Sequence, residues 1–193
     1  MSSPSSERRD ALLAQATAWV LEHGFHGLSL RPMAQALGTS ARMLVYHFGS
    51  KDALVAQILE QIAARWMVAM EDHMAQSDDV LEALRGLWTG VLRQPASRAV
   101  HAVALEAWAL GISGRAPVFE PFVAQVSQGW VVLVERGLAA DPAHKPHASR
   151  RALLLVAAVE GLLLYHVTDE RFDVDGAFEE LLGLFGARNA PPA

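Results

Sequence analysis

Hydrophobic residues recur along this 193-residue chain at spacings of three and four, the period of helices with one buried face. Leu12, Ala16, Trp19 and Val20 mark a first helix from about Glu7 to His23, ended by Gly24, with Trp19 expected in the core. Val55, Leu59, Ile62, Trp66, Met70 and Met74 trace a long helix from the Ser50 cap to about Gln76. Ser77-Asp78-Asp79 then caps a helix over Val80 to Leu92, with Leu81, Leu84, Trp88 and Leu92 inward. Pro95 opens the next, where His101, Leu105, Trp108 and Ile112 share a face until Gly111–Gly114 breaks it. Pro117 and Pro121 bracket the start of a helix carrying Phe122, Val126, Trp130, Leu133 and Gly137, and Asp141 to His147 has the composition of a loop.

The stretch from Ser149 to about Val167 differs. Between Ala152 and Tyr165 its only charge is Glu160, so it is apolar all round and must be covered on more than one side. A last helix begins at Asp173 or Asp175, with Phe178, Leu181, Leu182 and Phe185. No strand alternation, internal repeat or low-complexity segment is present. The pattern predicts an all-α chain of about nine helices.

Residues 29–54, SLRPMAQALGTSARMLVYHFGSKDAL, carry the most specific signal. Ser29 is placed to cap a short helix, Pro32 falls in its first turn, and Met33, Ala34 and Leu37 form its inner face. Gly38 follows where a helix end needs a left-handed residue. Ser40 can cap a second helix, Ala41 to Phe48, with Leu44, Val45 and Phe48 inward. Two short helices across a tight turn with glycine form a helix-turn-helix pattern, whose second helix enters a DNA major groove.

With Gly24-Phe25 before it and His47-Phe48-Gly49-Ser50-Lys51-Asp52 and Leu54 closing it, this segment resembles the N-terminal domain of the tetracycline-repressor (TetR) family of bacterial transcriptional regulators. The likeness covers roughly residues 8–55, with a weaker echo in Val159-Glu160-Gly161-Leu162. It implies a DNA-binding domain over residues 1–48 and an effector-binding and dimerisation domain over 49–193. Its candidate DNA contacts are Ser29, Arg31, Thr39, Ser40, Ala41, Arg42, Met43, Tyr46, His47 and Lys51. The family usually has Tyr where Val45 stands, and Tyr46 is the neighbour able to replace it; Arg42 and Met43 stand where small residues are common. Arg can fork onto guanine or phosphate, and a cation at the helix start, as at Lys51, makes electrostatic sense beside a phosphate.

Charge changes the picture little. The net charge of −5 argues against nucleic acid, but residues 1–52 hold five Arg/Lys against four acids, leaving the rest at −6. That asymmetry permits DNA binding, and the motif carries the case. No cysteine is present, which excludes disulfides and thiolate metal sites and fits a reducing cytoplasm. The first eleven residues have no apolar core and are not expected to be a signal peptide. The longest uninterrupted apolar run, Ala152 to Val159, is too short for a membrane span, so no membrane partner is expected.

Fifty-two per cent of residues are hydrophobic and mean hydropathy is +0.19, an excess that suits a pocket or a subunit interface. The resemblance implies both. Trp66, Met70, Trp88, His101, Leu105, Trp108, Phe122, Val126 and Trp130 are the candidate lining of an effector pocket for an apolar or aromatic molecule. Val156, Ala157, Ala158, Gly161, Leu162, Tyr165, Phe178, Leu182 and Phe185 are the candidate homodimer interface, as part of a four-helix contact. His23-x-x-His26 and His144-x-x-His147 lack the spacing of a helical metal site and are expected to be surface histidines. No catalytic constellation, cofactor motif or metal site is evident. The sequence therefore suggests a ligand-responsive repressor binding a palindromic operator as a homodimer. The alternatives are a regulator without an effector, or a helical carrier or enzyme with an unused head.

Overall fold

The computed structural model describes residues 4–114 and 116–187. Nine α-helices occur among them, with no strand. They are α1 (Pro4–His23), α2 (Leu30–Ala36), α3 (Ala41–Phe48), α4 (Lys51–Met74), α5 (Val80–Leu87), α6 (Pro95–Ile112), α7 (Glu120–Ala140), α8 (Ala148–Thr168) and α9 (Val174–Ala187). The all-α expectation holds. The first turn of α1 starts at Pro4, earlier than the Glu7 start and the disorder expected over residues 1–6, because proline's missing N–H is harmless there. Residues 1–3 and the NAPPA tail, expected to be unstructured, lie outside the described residues.

The chain gathers into two compact units. One holds the chain up to Arg65 together with Ala102–Gln125, the other Trp66–His101 together with the chain from Val126 onward. Helices α4, α6 and α7 thus contribute residues to both.

In the first unit, Leu12, Ala16 and Val20 of α1, Met33 of α2, Leu44 and Phe48 of α3, and Leu54, Val55 and Ile58 of α4 are buried together as its core. Polar links fix α1 to α4. The buried Thr17 hydroxyl lies 2.7 Å from Gln61 Oε1, Arg9 hydrogen-bonds Gln57, and the Arg9 guanidinium sits 5.3 Å from the centre of the Phe48 ring. The chain leaves α1 through Gly24 at φ +75°, where a Cβ would stand 2.8 Å from Glu106 Oε2. The next N–H, that of Phe25, donates to that same oxygen at 2.7 Å, and the Phe25 ring meets Phe119 edge-on at 4.9 Å.

The second unit is organised around a tryptophan. The helix expected to run to Leu92 turns π-helical over Trp88–Leu92, its Arg93 N–H reaching back to the Trp88 carbonyl at 2.9 Å. Trp88 is buried, stacks on Phe178 of α9 with centroids 4.4 Å apart, and donates its indole N–H to Asp175 at 2.7 Å. Arg93 donates twice to the same carboxylate, at 2.8 and 3.0 Å. Arg98 donates to the last carbonyls of α8, those of His166 and Val167. Asp79 caps α5 as expected, accepting from the N–H groups of Leu81 and Glu82.

Three smaller expectations are corrected. Ile112, assigned to the inner face of α6, is 77% exposed, because the helix ends there and the turn into Gly114 leaves it uncovered. The segment 141–147 is a structured turn rather than an open loop, ending in a 3-10 helix over Lys145–His147. His144 is buried in it, not on the surface, taking a hydrogen bond from Arg151, which also bonds the Ala143 carbonyl. The segments Lys51–Met74 and Lys145–Thr168 also have the length and composition of membrane spans, although no uninterrupted apolar run does.

Asp175 joins Trp88 and Arg93, and the hydrogen bond from Arg93 is the main reason its carboxyl titrates below the usual range. A depressed carboxylate stabilises the fold above its unfolded pKa, near ~3.9, and loses that contribution as pH falls through the folded value. Asp175→Asn should therefore lower stability by a constant amount at neutral pH. Urea titrations of both proteins should show the gap closing below about pH 4.

Candidate nucleic-acid interface

The turn between α2 and α3 is fixed by its own hydrogen bonds. Thr39 N–H reaches the Ala34 carbonyl at 2.9 Å and Gly38 N–H that of Gln35 at 3.2 Å, with Gly38 at φ +64°. This is the pattern of a helix closed by a left-handed residue, which a side chain would strain. Ser40 then caps α3, its hydroxyl accepting from the Met43 N–H at 3.2 Å. Ser50 does the same for α4, accepting from Ala53 at 3.0 Å. Ser29 precedes α2 with the extended backbone of a cap, but its exposed hydroxyl makes no cap bond among the described residues. The expected capping role is corrected there.

Leu44 and Phe48 anchor α3 inward. The outer face carries Arg42, Met43 and Tyr46, all exposed, with Tyr46 at 74%. Their i, i+1, i+4 spacing puts them on one side of the helix. Val45, expected inward, is 42% exposed and belongs to this outer surface. An eight-residue helix anchored by two side chains four apart leaves no third inner position. His47 is half-buried between the Tyr46 and Phe48 rings, at 5.2 and 6.3 Å. Arg31 on α2 and Lys51, the first residue of α4, are exposed, while Thr39 and Ala41 are half-buried at the turn. The arrangement offers three cations, the hydroxyls of Ser29, Thr39 and Ser40, and the Tyr46 ring around one protruding helix.

Trp19, expected in the core, is half-buried and stacks on His23 at 4.3 Å. Together with Leu37 and Gly38 it lines an open concavity of about 650 Å³ between α1 and the end of α2.

The candidate effector residues divide between the units. In the first, Leu105 and Trp108 are half-buried and Phe122 is buried; the Trp108 indole nitrogen has no hydrogen-bond partner among the described residues. In the second, Met70, Val126 and Trp130 are buried, and the half-buried Trp66 meets the His101 ring edge-on at 5.1 Å. Burial first, and the charge of His166 second, push His101 down to about 4. Trp88 is committed to Phe178 and Asp175, so its ring and its N–H are used within the fold.

The candidate interface residues also separate. Val156, Phe178 and Leu182 are buried inside the second unit and support its packing instead of facing outward. Ala158, Gly161, Leu162 and Phe185 are half-buried; Ala157 and Tyr165 are exposed. Four exposed leucines were missed: Leu153, Leu154 and Leu164 on α8, and Leu184 on α9. In a helix apolar all round, composition gives no way to tell inner from outer leucines. Glu160 is half-buried beside them, and burial pushes its carboxyl up to about 7. No group of three or more metal-binding side chains occurs among the described residues.

Residues 12–58 match the family model described as "Bacterial regulatory proteins, tetR family". That span contains α2, α3 and the Ser40 and Ser50 caps. Over these residues the chain is similar to the DNA-binding segment of TetR-family regulators. A curated TetR-type relative, the HTH-type transcriptional regulator RutR of Escherichia coli strain K12, is 35% identical over 66 residues, 34% of this chain and 31% of that protein. The match thus spans less than a third of the relative's length. Solved structures extend the likeness in fold to nearly the whole chain. A transcriptional regulator from Rhodococcus sp. Rha1 aligns with a TM-score of 0.80 at 20% identity, covering 95% of this chain and 99% of the other. NalD, the secondary repressor of the MexAB-OprM multidrug efflux pump in Pseudomonas aeruginosa, aligns at 0.61 with 22% identity, covering 96% and 97%. At these identities the structural likeness speaks for the fold alone.

In a TetR-type head, the caps are what hold α3 in position. Ser40→Ala should destabilise the protein by about 1 kcal/mol. Ser29→Ala, which removes no cap bond, should change stability by less than about 0.5 kcal/mol. Thermal unfolding of the two variants checks the difference, and equal losses would contradict it.

Proposed function

We propose that this chain is a DNA-binding transcriptional regulator of the TetR type, acting as a homodimeric repressor on a palindromic operator and released by a small apolar effector. The observation that carries the reading is the exposed face of α3, where Arg42, Met43 and Tyr46 protrude from a helix anchored by Leu44 and Phe48. Arg42 supplies a guanidinium suited to a guanine edge, and Met43 an apolar surface for a thymine methyl. Tyr46, Arg31 and Lys51 would suit phosphates, Lys51 together with the amides that open α4. Repression follows by analogy with a curated relative, the HTH-type transcriptional repressor AcnR of Corynebacterium efficiens, 28% identical over 79 residues, 41% of this chain and 39% of that protein.

Dimerisation is supported by the uncovered apolar side of α8. Leu153, Ala157 and Leu164 lie along one stripe and Gly161 has open space where a side chain would be, so another helix can approach closely. A two-fold dimer presents two α3 helices, and half-sites read on one face of DNA lie about 34–36 Å apart. The effector reading rests on Trp66 and His101 of the second unit and on the unpartnered His101 ring nitrogens.

Gel shifts against the DNA flanking the chain's own gene, at graded salt, test the reading as a whole; absence of any sequence-selective, salt-sensitive complex would overturn it. Within a complex, Arg42→Ala should cost roughly 1–3 kcal/mol and relax preference at one position of each half-site. Lys51→Ala should weaken all sequences about equally and reduce the salt slope by about one unit.

A charge on the exposed stripe is the corresponding test of assembly. Leu154→Glu or Gly161→Glu should give monomers or aggregates and abolish operator binding, read by analytical ultracentrifugation and gel shift. A wild-type protein that sediments as a stable monomer at micromolar concentration would refute the homodimer.

A further inference from the structure

We propose that His101 is the polar anchor of the effector site, and that the site takes an apolar molecule carrying one neutral hydrogen-bonding group, a hydroxyl or a carbonyl, in preference to an anion or a cation. This rests on the effector reading above and gives it a chemical class.

His101 lies on α6 with 7% of its surface exposed, and both ring nitrogens are sealed from water with no hydrogen-bond partner among the described residues. A neutral imidazole has one donor and one acceptor, and folded proteins rarely bury such groups unsatisfied. Ser97, one turn earlier on the same helix and also buried, shows the normal outcome: its hydroxyl donates to the Val91 carbonyl at 2.6 Å. His101 therefore stands out as a polar side chain kept dry without an internal reason.

Its surroundings say what could satisfy it. The Trp66 indole meets the ring edge-on and is itself half-exposed, so a molecule that slides past or displaces this indole reaches the imidazole. Met70, one turn further along α4, is fully buried and supplies an adaptable apolar contact. On the α8 side stands His166, itself beside Arg93 and Arg98, which are paired with Asp175 and Glu170. Burial first, and His166 second, hold the His101 ring neutral at physiological pH, with its titration pushed down to about 4. A carboxylate ligand would need the protonated ring that burial opposes. An ammonium ligand would give up its hydration for a single neutral acceptor, which burial makes costly. A hydroxyl can donate to one ring nitrogen or accept from the other, and a carbonyl can accept from the ring N–H, in both cases without moving a charge.

The test uses the full-length protein and four probes on one carbon frame: naphthalene, 1-naphthol, 1-naphthoate and 1-naphthylmethylammonium. Binding is followed by tryptophan fluorescence at pH 7.5 in wild type, His101→Phe and His101→Leu. Wild type should prefer naphthol over naphthalene by about tenfold, the value of one well-made hydrogen bond, with both ions binding more weakly than naphthol. Both variants should keep naphthalene binding and lose the preference. Their ligand-free melting temperatures should be unchanged or higher, since two unsatisfied polar atoms are removed. Preference for either ion, a naphthol preference that survives in both variants, or a melting temperature lowered in both would overturn the anchor while leaving the effector reading intact. Failure of wild type to bind any of the four probes would instead remove the effector reading, and the anchor with it.

Discussion

What α3 can present depends on how the chain turns from α1 into α2, and that turn depends on Glu106. Past Gly24 the chain leaves the helical ladder, so the Phe25 N–H needs a partner from elsewhere. Gly24 turns left-handed, bringing the Phe25 N–H onto Glu106 Oε2, and the Phe25 ring then settles against Phe119. A carboxylate accepting a backbone N–H in a partly buried place makes a charge-assisted bond, roughly twice as strong as a neutral one. Without it the same close approach would leave a buried donor unsatisfied, and Gly24 would have no reason to be so crowded. The head is therefore not a free-standing three-helix module in this chain: the second half of α6 and the start of α7 belong to the same compact unit.

The second unit solves a different problem, that of holding helix ends together with few apolar residues to spare at the ends. Arg93, Asp175 and the Trp88 indole form one hydrogen-bonded knot, and Arg98 satisfies the last carbonyls of α8. With its C-terminus tied and Ala152, Leu155, Val159 and Leu163 committed inward, α8 has a fixed rotation about its own axis. That rotation decides which leucines remain outside. An exposed row containing Leu153, Leu154 and Leu164 costs solubility unless something covers it, and a second copy offers the same row in return.

Much of this was legible in the sequence, and the misses share a cause. The helices, the left-handed Gly38 and the Ser40 and Asp79 caps each follow from residues close in sequence, so local pattern was enough. Ser29 looked identical to Ser40 by type and shares its extended backbone, yet only Ser40 bonds its helix: three residues after Ser29 stands Pro32, which has no N–H to donate, where Met43 donates to Ser40. Val45 was placed inward on apolarity, although the inner positions of α3 were already filled by Leu44 and Phe48, and Trp19 likewise, although its ring stacks on His23 at the end of its own helix. Trp88 was set beside the other tryptophans as a pocket residue, when its partners Phe178 and Asp175 lie some 90 positions away. Val156, Phe178 and Leu182 were given to a partner for the same reason: periodicity reports that a face is apolar, not what covers it.

Regulation adds a constraint that contacts alone do not meet. A ligand shifts DNA affinity only by as much as it discriminates between two conformations, about 1.4 kcal/mol for each tenfold of release, and DNA must weaken the ligand equally in return. A purely apolar pocket discriminates poorly, since a greasy molecule gains similar energy in any pocket of similar size. A buried polar atom discriminates better, because its bond is either made or missing. His101 is such an atom, and it lies on the same continuous helix as Glu106, five residues before the carboxylate that holds the head's entry turn. A hydrogen bond made in one conformation and lost in the other is worth about 1 kcal/mol, more when the unsatisfied group stays buried. That is the size of free energy that a tenfold response requires, and a single well-placed imidazole can supply it.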